Sequence, residues 1–170
     1  SDTTKVASTS RLPRAGQVYA WVVITLGVLA IGQSLHELYR TPLVSQWLLL
    51  AALTLISGSA SVKLPGANVA ISISEAFTFT AVLLYGAAAG TLIVTLDGLV
   101  IAFWIARRRP EGIRALFNFT APALSAWVSA HVFFKTSGIA PRVEQAATLN
   151  QNLPSLVLFA LLYFSLNSWL

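Results

Sequence analysis

Long apolar runs alternate with short polar breaks along the chain, and the run lengths suit helices that cross a bilayer. The first run, Gln17–Leu35, is set apart by the hydrophilic His36–Arg40 and by Pro42 from a second, Leu43 to about Ser59. A later run, Ala87–Ala106, stops at Arg107-Arg108-Arg109-Pro110. Another covers Phe117–Phe134, and the last starts near Pro154–Ser155 and reaches the chain end. Each holds roughly sixteen to twenty residues, adequate at about 1.5 Å per residue for a hydrocarbon layer of about 30 Å.

Between the second and later runs the pattern changes. Leu64-Pro65-Gly66-Ala67-Asn68 reads as a turn, after which Val69, Ile71 and Ile73 alternate with Ala70, Ser72 and Ser74, the period of a strand. Glu75–Tyr85 then reads as a helix of only about 16 Å, half the hydrocarbon thickness. Non-helical backbone at that depth is tolerated only under cover of protein or water, so this re-entrant-like stretch belongs inside a bundle or along a cavity. Ser74 is expected to cap the short helix, with Glu75 in its first turn where the macrodipole favours an anion. Gly86 suits a tight turn, and Gly86-Ala87-Ala88-Ala89-Gly90 offers a small-residue face for close helix approach.

Basic residues decide whether the short helix counts as a crossing. Lys5, Arg11 and Arg14 place the N-terminus in the cytosol, and Arg107, Arg108, Arg109 and Arg114 belong there as well. Both clusters face the same way only if the segment around Ile71–Tyr85 crosses. Eight of the eleven basic residues are then inside, leaving Arg40, Lys135 and Arg142 outside. The expected fold is therefore an all-α polytopic membrane protein of about six transmembrane helices, both ends cytosolic, the third helix short and preceded by an extended segment. Residues 1–16 read as a flexible cytosolic segment and 17–170 as one transmembrane domain. With no initiator Met and a stop within the apolar "LFALLYFSLNSWL", the chain reads as part of a longer protein truncated in its last helix.

Composition supports a membrane setting. Of 170 residues 56% are hydrophobic and 10% charged, against roughly 25% charged in ordinary soluble domains, and the mean hydropathy is +0.73. The net charge of +5 fits cytosolic loops beside anionic lipid better than nucleic acid, which is not expected as a partner. Zero cysteines exclude disulfides and thiol-ligated cofactors.

Enzymatic signatures are missing: there is no HExxH or zinc spacing, no phosphate-binding glycine loop and no GxSxG. "DGLVIAFWIAR" lacks the further aspartates that lipid-headgroup transferases need. No catalytic residue, metal or cofactor is expected. The chemistry that remains is a pair of carboxylates: Glu75 and Asp97 each lie eleven residues from Gly86, so a hairpin turning there brings them to similar depth. Two carboxylates near mid-membrane would share a proton, bind a cation or find a partner. Each also has a structural reading, Glu75 as a helix-start residue and Asp97 as a hydrogen-bonding group. His131, in "SAHVFFKTSG", reads as a core or interfacial histidine or as a ligand contact. Candidate ligand-binding residues are thus Glu75, Asp97, Ser72, Ser74, Asn68 and His131.

"LPGANVAISISEAFTFTAVLLYGAAAGTLIVTLDGLVIAFW", "RALFNFTAPALSAWVSA" and the closing "LLYFSLNSWL" resemble the N-terminal membrane region of bacterial signalling proteins. The likeness covers Val62–Leu170, with Leu64-Pro65-Gly66, Ser74-Glu75-Ala76, Tyr85-Gly86 and Phe117-Asn118 as landmarks; Ala87 stands where those relatives commonly carry proline. In that family such a region precedes a cytosolic HD-type phosphohydrolase, diguanylate cyclase or histidine kinase domain. The resemblance implies a sensory input module in a bacterial inner membrane. It would bind a small apolar or amphipathic ligand or sense the bilayer, and act as a homodimer beside membrane lipids. The helix count and the irregular crossing are also similar, at fold level, to the substrate-binding component of vitamin uptake transporters. The alternative expectation is accordingly a small-solute transporter or such a subunit.

Overall fold

The computed structural model describes residues 14–40, 45–57, 61–63, 70–106, 112–138 and 153–170. The expectations for residues 1–13, the Leu64-Pro65-Gly66 turn, Asn68, the Arg107–Pro110 cluster and Arg142 lie outside the described residues.

Six helices form the bundle: α1 Arg14–Arg40, α2 Ser45–Ser57, α3 Ile73–Tyr85, α4 Ala87–Ala106, α5 Gly112–Ser137 and α6 Leu153–Trp169. The first helix runs five residues past the expected end at Leu35. Polarity ends an apolar run but not a helix, since His36–Arg40 contains no Gly or Pro to break it. For the same reason α5 begins at Gly112, ahead of the apolar stretch at Phe117, and continues through Pro122. That proline supplies no N–H to the Asn118 carbonyl four residues back.

A short antiparallel ribbon precedes α3. Strand β1, Ser61–Lys63, pairs with β2, Ala70–Ser72, in the register Ser61↔Ser72, Val62↔Ile71 and Lys63↔Ala70. The expected extended segment is therefore present, and it passes directly into α3. One expectation needs correction: Ser74 lies within the first turn of α3, and the residue just before the helix is Ser72.

Gly86 makes the turn between α3 and α4 with φ 94°, a conformation that a Cβ penalises. Its N–H still donates to the Val82 carbonyl at 2.9 Å, and the Gly90 N–H donates to the Gly86 carbonyl at 3.2 Å, so both helices meet at one residue. A Cβ on Gly90 would overlap the Val82 side chain, which fixes how closely the hairpin closes.

Packing gives α1, α4, α5 and α6 their directions. Gly98 of α4 lies against Phe119 of α5, and Ala87 shares a core cluster with Ala130, so these two helices run antiparallel. Likewise Phe133 packs with Phe159 and Ala126 with Tyr163, so α6 runs back along α5. The Tyr19 hydroxyl donates to the Trp169 carbonyl at 3.2 Å, which places the start of α1 and the end of α6 at the same end. The Gly86 turn and the end of α5 lie at the other.

Small side chains and hydroxyls fill much of the interior, beside the buried Phe133, Phe159, Ile93 and Val82. On α1 the buried residues are Ala20, Val23, Ile24, Gly27, Ala30 and Ser34. Several of its other large apolar residues face outward, Leu29 and Val18 at 63% exposure each. Buried hydroxyls are satisfied within their own helices: Thr91, Thr95, Thr120 and Ser125 donate to the carbonyls of Ala87, Thr91, Leu116 and Ala121 at 2.8, 2.7, 2.7 and 3.0 Å. The Oγ atoms of Ser34 and Ser129 make no such bond.

By length and composition one described helix, Arg14–Arg40, is long and apolar enough to cross a membrane, whereas about six were expected. Trp47–Ile56, Glu75–Tyr85, Ala87–Val100 and Pro154–Trp169 are shorter apolar helices.

Candidate functional site

Glu75 sits in the first turn of α3 and Asp97 midway along α4, both half-buried. Gly86 lies between them, their equal spacing from it implies similar depth, and the reversal there brings the two carboxylates within electrostatic reach of one another. Tyr163 of α6, 4% exposed, lies within electrostatic reach of both. Three helices thus contribute one ionisable group each to the middle of the bundle.

An aromatic wall stands beside them. Phe79, one turn beyond Glu75, meets Phe159 at 5.0 Å, Tyr163 at 5.5 Å and Phe164 at 6.0 Å between ring centroids, all edge-on. Edge-to-face contacts of this kind add roughly 0.5–1.5 kcal/mol each beyond buried area. They hold α6 against α3 and fix the Tyr163 ring. Val94 of α4 and Ala126 of α5 complete the packing around Tyr163.

Chemically, two nearby carboxylates in a poorly solvated setting favour anything that reduces their joint charge: a shared proton, a cation, or a donor such as a phenol. Among the described residues no group of three or more His, Cys, Asp or Glu could hold a metal ion.

The remaining sequence candidates fall elsewhere. Ser72 ends β2 and Ser74 belongs to the first turn of α3, next to Glu75 in sequence. His131 lies near the far end of α5, where its neighbour Ala130 packs with Ala87 beside the Gly86 turn, a different level from Asp97. Its ring lies against Trp127 at a tilt of 37° with centroids 4.1 Å apart, and its Nδ1 lies 2.8 Å from the Trp127 carbonyl oxygen.

Sequence reasoning missed Tyr163 and Phe79. The available signal was a single phenol inside the apolar "LFALLYFSL", since a buried Tyr needs a polar partner. Comparison with family models, with curated proteins and with solved structures finds no match.

Proposed function

We propose that the chain is a polytopic membrane input module: six helices cross a bacterial inner membrane, and both termini lie in the cytosol. The observation that carries the membrane reading is the inverted arrangement of side chains. Trp21, Val22, Leu26 and Leu29 of α1, Leu48, Leu49 and Ile56 of α2, and Val157, Leu161 and Phe164 of α6 are exposed. Alanine, glycine, serine and threonine fill much of the interior. Water would penalise such an outer surface by about 25 cal/mol per Å² of apolar area. In lipid it costs nothing, and small residues are what let helices pack closely there. Helices α3, α4, α5 and α6 run in alternating directions, as successive crossings require.

Within that bundle the Glu75–Asp97–Tyr163 group is read as the input site. It joins α3 and α4 to α6, the helix that returns to the end where the chain begins. A small ligand that changes the charge of the pair shifts the contacts on Phe79 and Tyr163, and so the seating of α6. The resemblance to membrane regions of bacterial signalling proteins supports a cytosolic output domain beyond α6 and a homodimer. No enzymatic step is assigned to this chain. A carrier of protons or small cations is the second reading, favoured by the position of the carboxylate pair midway between the bundle's ends.

Proteoliposomes enclosing a pH-sensitive dye separate the two. An imposed pH step that changes intrinsic tryptophan fluorescence without net proton flux supports the input module. Flux that disappears in Asp97→Asn supports the carrier. Neither response in a folded, inserted protein removes the site from both readings.

A further inference from the structure

Trp127, His131 and Lys135 recur every four residues on α5 and so form one stripe along it. The stripe ends at the Gly86-turn end of the bundle, with Trp127 and His131 half-buried and Lys135 exposed. The geometry of the histidine is specific. Its Nδ1 lies 2.8 Å from the Trp127 carbonyl oxygen, and a carbonyl only accepts, so Nδ1 carries the hydrogen. In the neutral ring Nε2 is then an acceptor, and the indole 4.1 Å away fixes its direction. One turn further along, the Lys135 ammonium supplies three N–H donors and a positive charge.

An acceptor suited to an ammonium thus stands one helical turn from a cation suited to a phosphate. In the membrane reading, on which this inference rests, this pair lies at the rim where α5 meets the outer headgroups. We propose that the stripe binds the headgroup of phosphatidylethanolamine, with its phosphate on Lys135 and its primary ammonium donating to His131 Nε2. Trp127 marks the boundary between headgroup and acyl chain, the depth that indole rings favour. Phosphatidylcholine has no N–H to donate. Phosphatidylglycerol offers hydroxyls without the charge that strengthens such a bond.

The test uses the purified full chain in nanodiscs of phosphatidylcholine doped with phosphatidylethanolamine or phosphatidylglycerol, followed by native mass spectrometry of the lipids retained. Phosphatidylethanolamine is expected to be retained roughly tenfold over phosphatidylcholine, the ratio given by one hydrogen bond to a charged group. His131→Ala abolishes that ratio, and His131→Gln, whose amide oxygen still accepts, recovers part of it. Lys135→Ala, at an exposed position that leaves the interior untouched, lowers retention of both lipids while keeping their ratio. The inference is overturned if His131→Ala keeps the wild-type ratio. It is equally overturned if phosphatidylglycerol is retained as well as phosphatidylethanolamine, because Lys135 charge alone would then explain binding. A chain that purifies monodisperse without detergent defeats the membrane reading first, a result distinct from an inserted chain with no headgroup preference.

Discussion

Gly27 and Gly32 lie on the same helix, and the structure gives them opposite surroundings. A Cβ on Gly27 would sit 2.6 Å from the Thr120 carbonyl oxygen, 2.7 Å from its Cβ and 3.0 Å from its carbonyl carbon. Two of those three atoms are backbone and cannot rotate away. Restoring ordinary contact moves α1 off α5 by roughly 1 Å, which forfeits a quarter to a half of the dispersion energy across the gap. A Cβ on Gly32 meets nothing within 4 Å. Both substitutions gain the same helix propensity, about 1 kcal/mol for Ala over Gly, so that contribution cancels in the comparison. Gly27→Ala is therefore expected to be less stable than Gly32→Ala by about 1–3 kcal/mol, the usual cost of overpacking. Reversible unfolding by sodium dodecyl sulfate in mixed micelles, followed by tryptophan fluorescence, reads the difference. Equal stabilities would show that α1 does not seat against Thr120.

Other substitutions probe the hairpin, the core and the site. Gly86→Ala puts a Cβ at φ 94° and is expected to cost about 1–2 kcal/mol in the same unfolding assay, with no change in helix content by circular dichroism. Phe133→Ala empties a side chain that is 1% exposed and packs against Phe159, so a loss of about 3–5 kcal/mol is expected. Asp97→Asn relieves the repulsion from Glu75 and should leave folded yield unchanged while abolishing the fluorescence response to a pH step. Loss of yield and response together would make Asp97 a structural carboxylate.

Much of the hairpin was legible because its signals are local. Gly86 marks the turn by backbone chemistry alone, the Ala87–Ala106 boundaries follow from apolar runs ending in charge, and the equal spacing of Glu75 and Asp97 from Gly86 gives their similar depth, though not which way each faces. The end of α1 and the start of α5 were not legible from hydropathy, because charged residues, Glu37 and Arg40 in one and Arg114 in the other, interrupt an apolar run without stopping a helix. Strand β1 was missed since three residues, Ser61–Lys63, carry no readable period. Tyr163 joins the carboxylates through the packing of α6 on α5 and on Phe79, the latter 84 residues away in sequence, and periodicity within one helix says nothing of which distant helix it meets.

Membrane insertion with alternating crossings is tested most directly by single-cysteine accessibility, for which the native chain with zero cysteines is a ready background. Gly138→Cys lies at the Gly86-turn end of the bundle, while Arg14→Cys and Leu170→Cys lie at the opposite end. In intact cells a membrane-impermeant maleimide is expected to label Gly138→Cys, and to label the other two only after the inner membrane is permeabilised. Labelling of Leu170→Cys in intact cells, or equal labelling of all three, would contradict a six-crossing bundle with both termini in the cytosol.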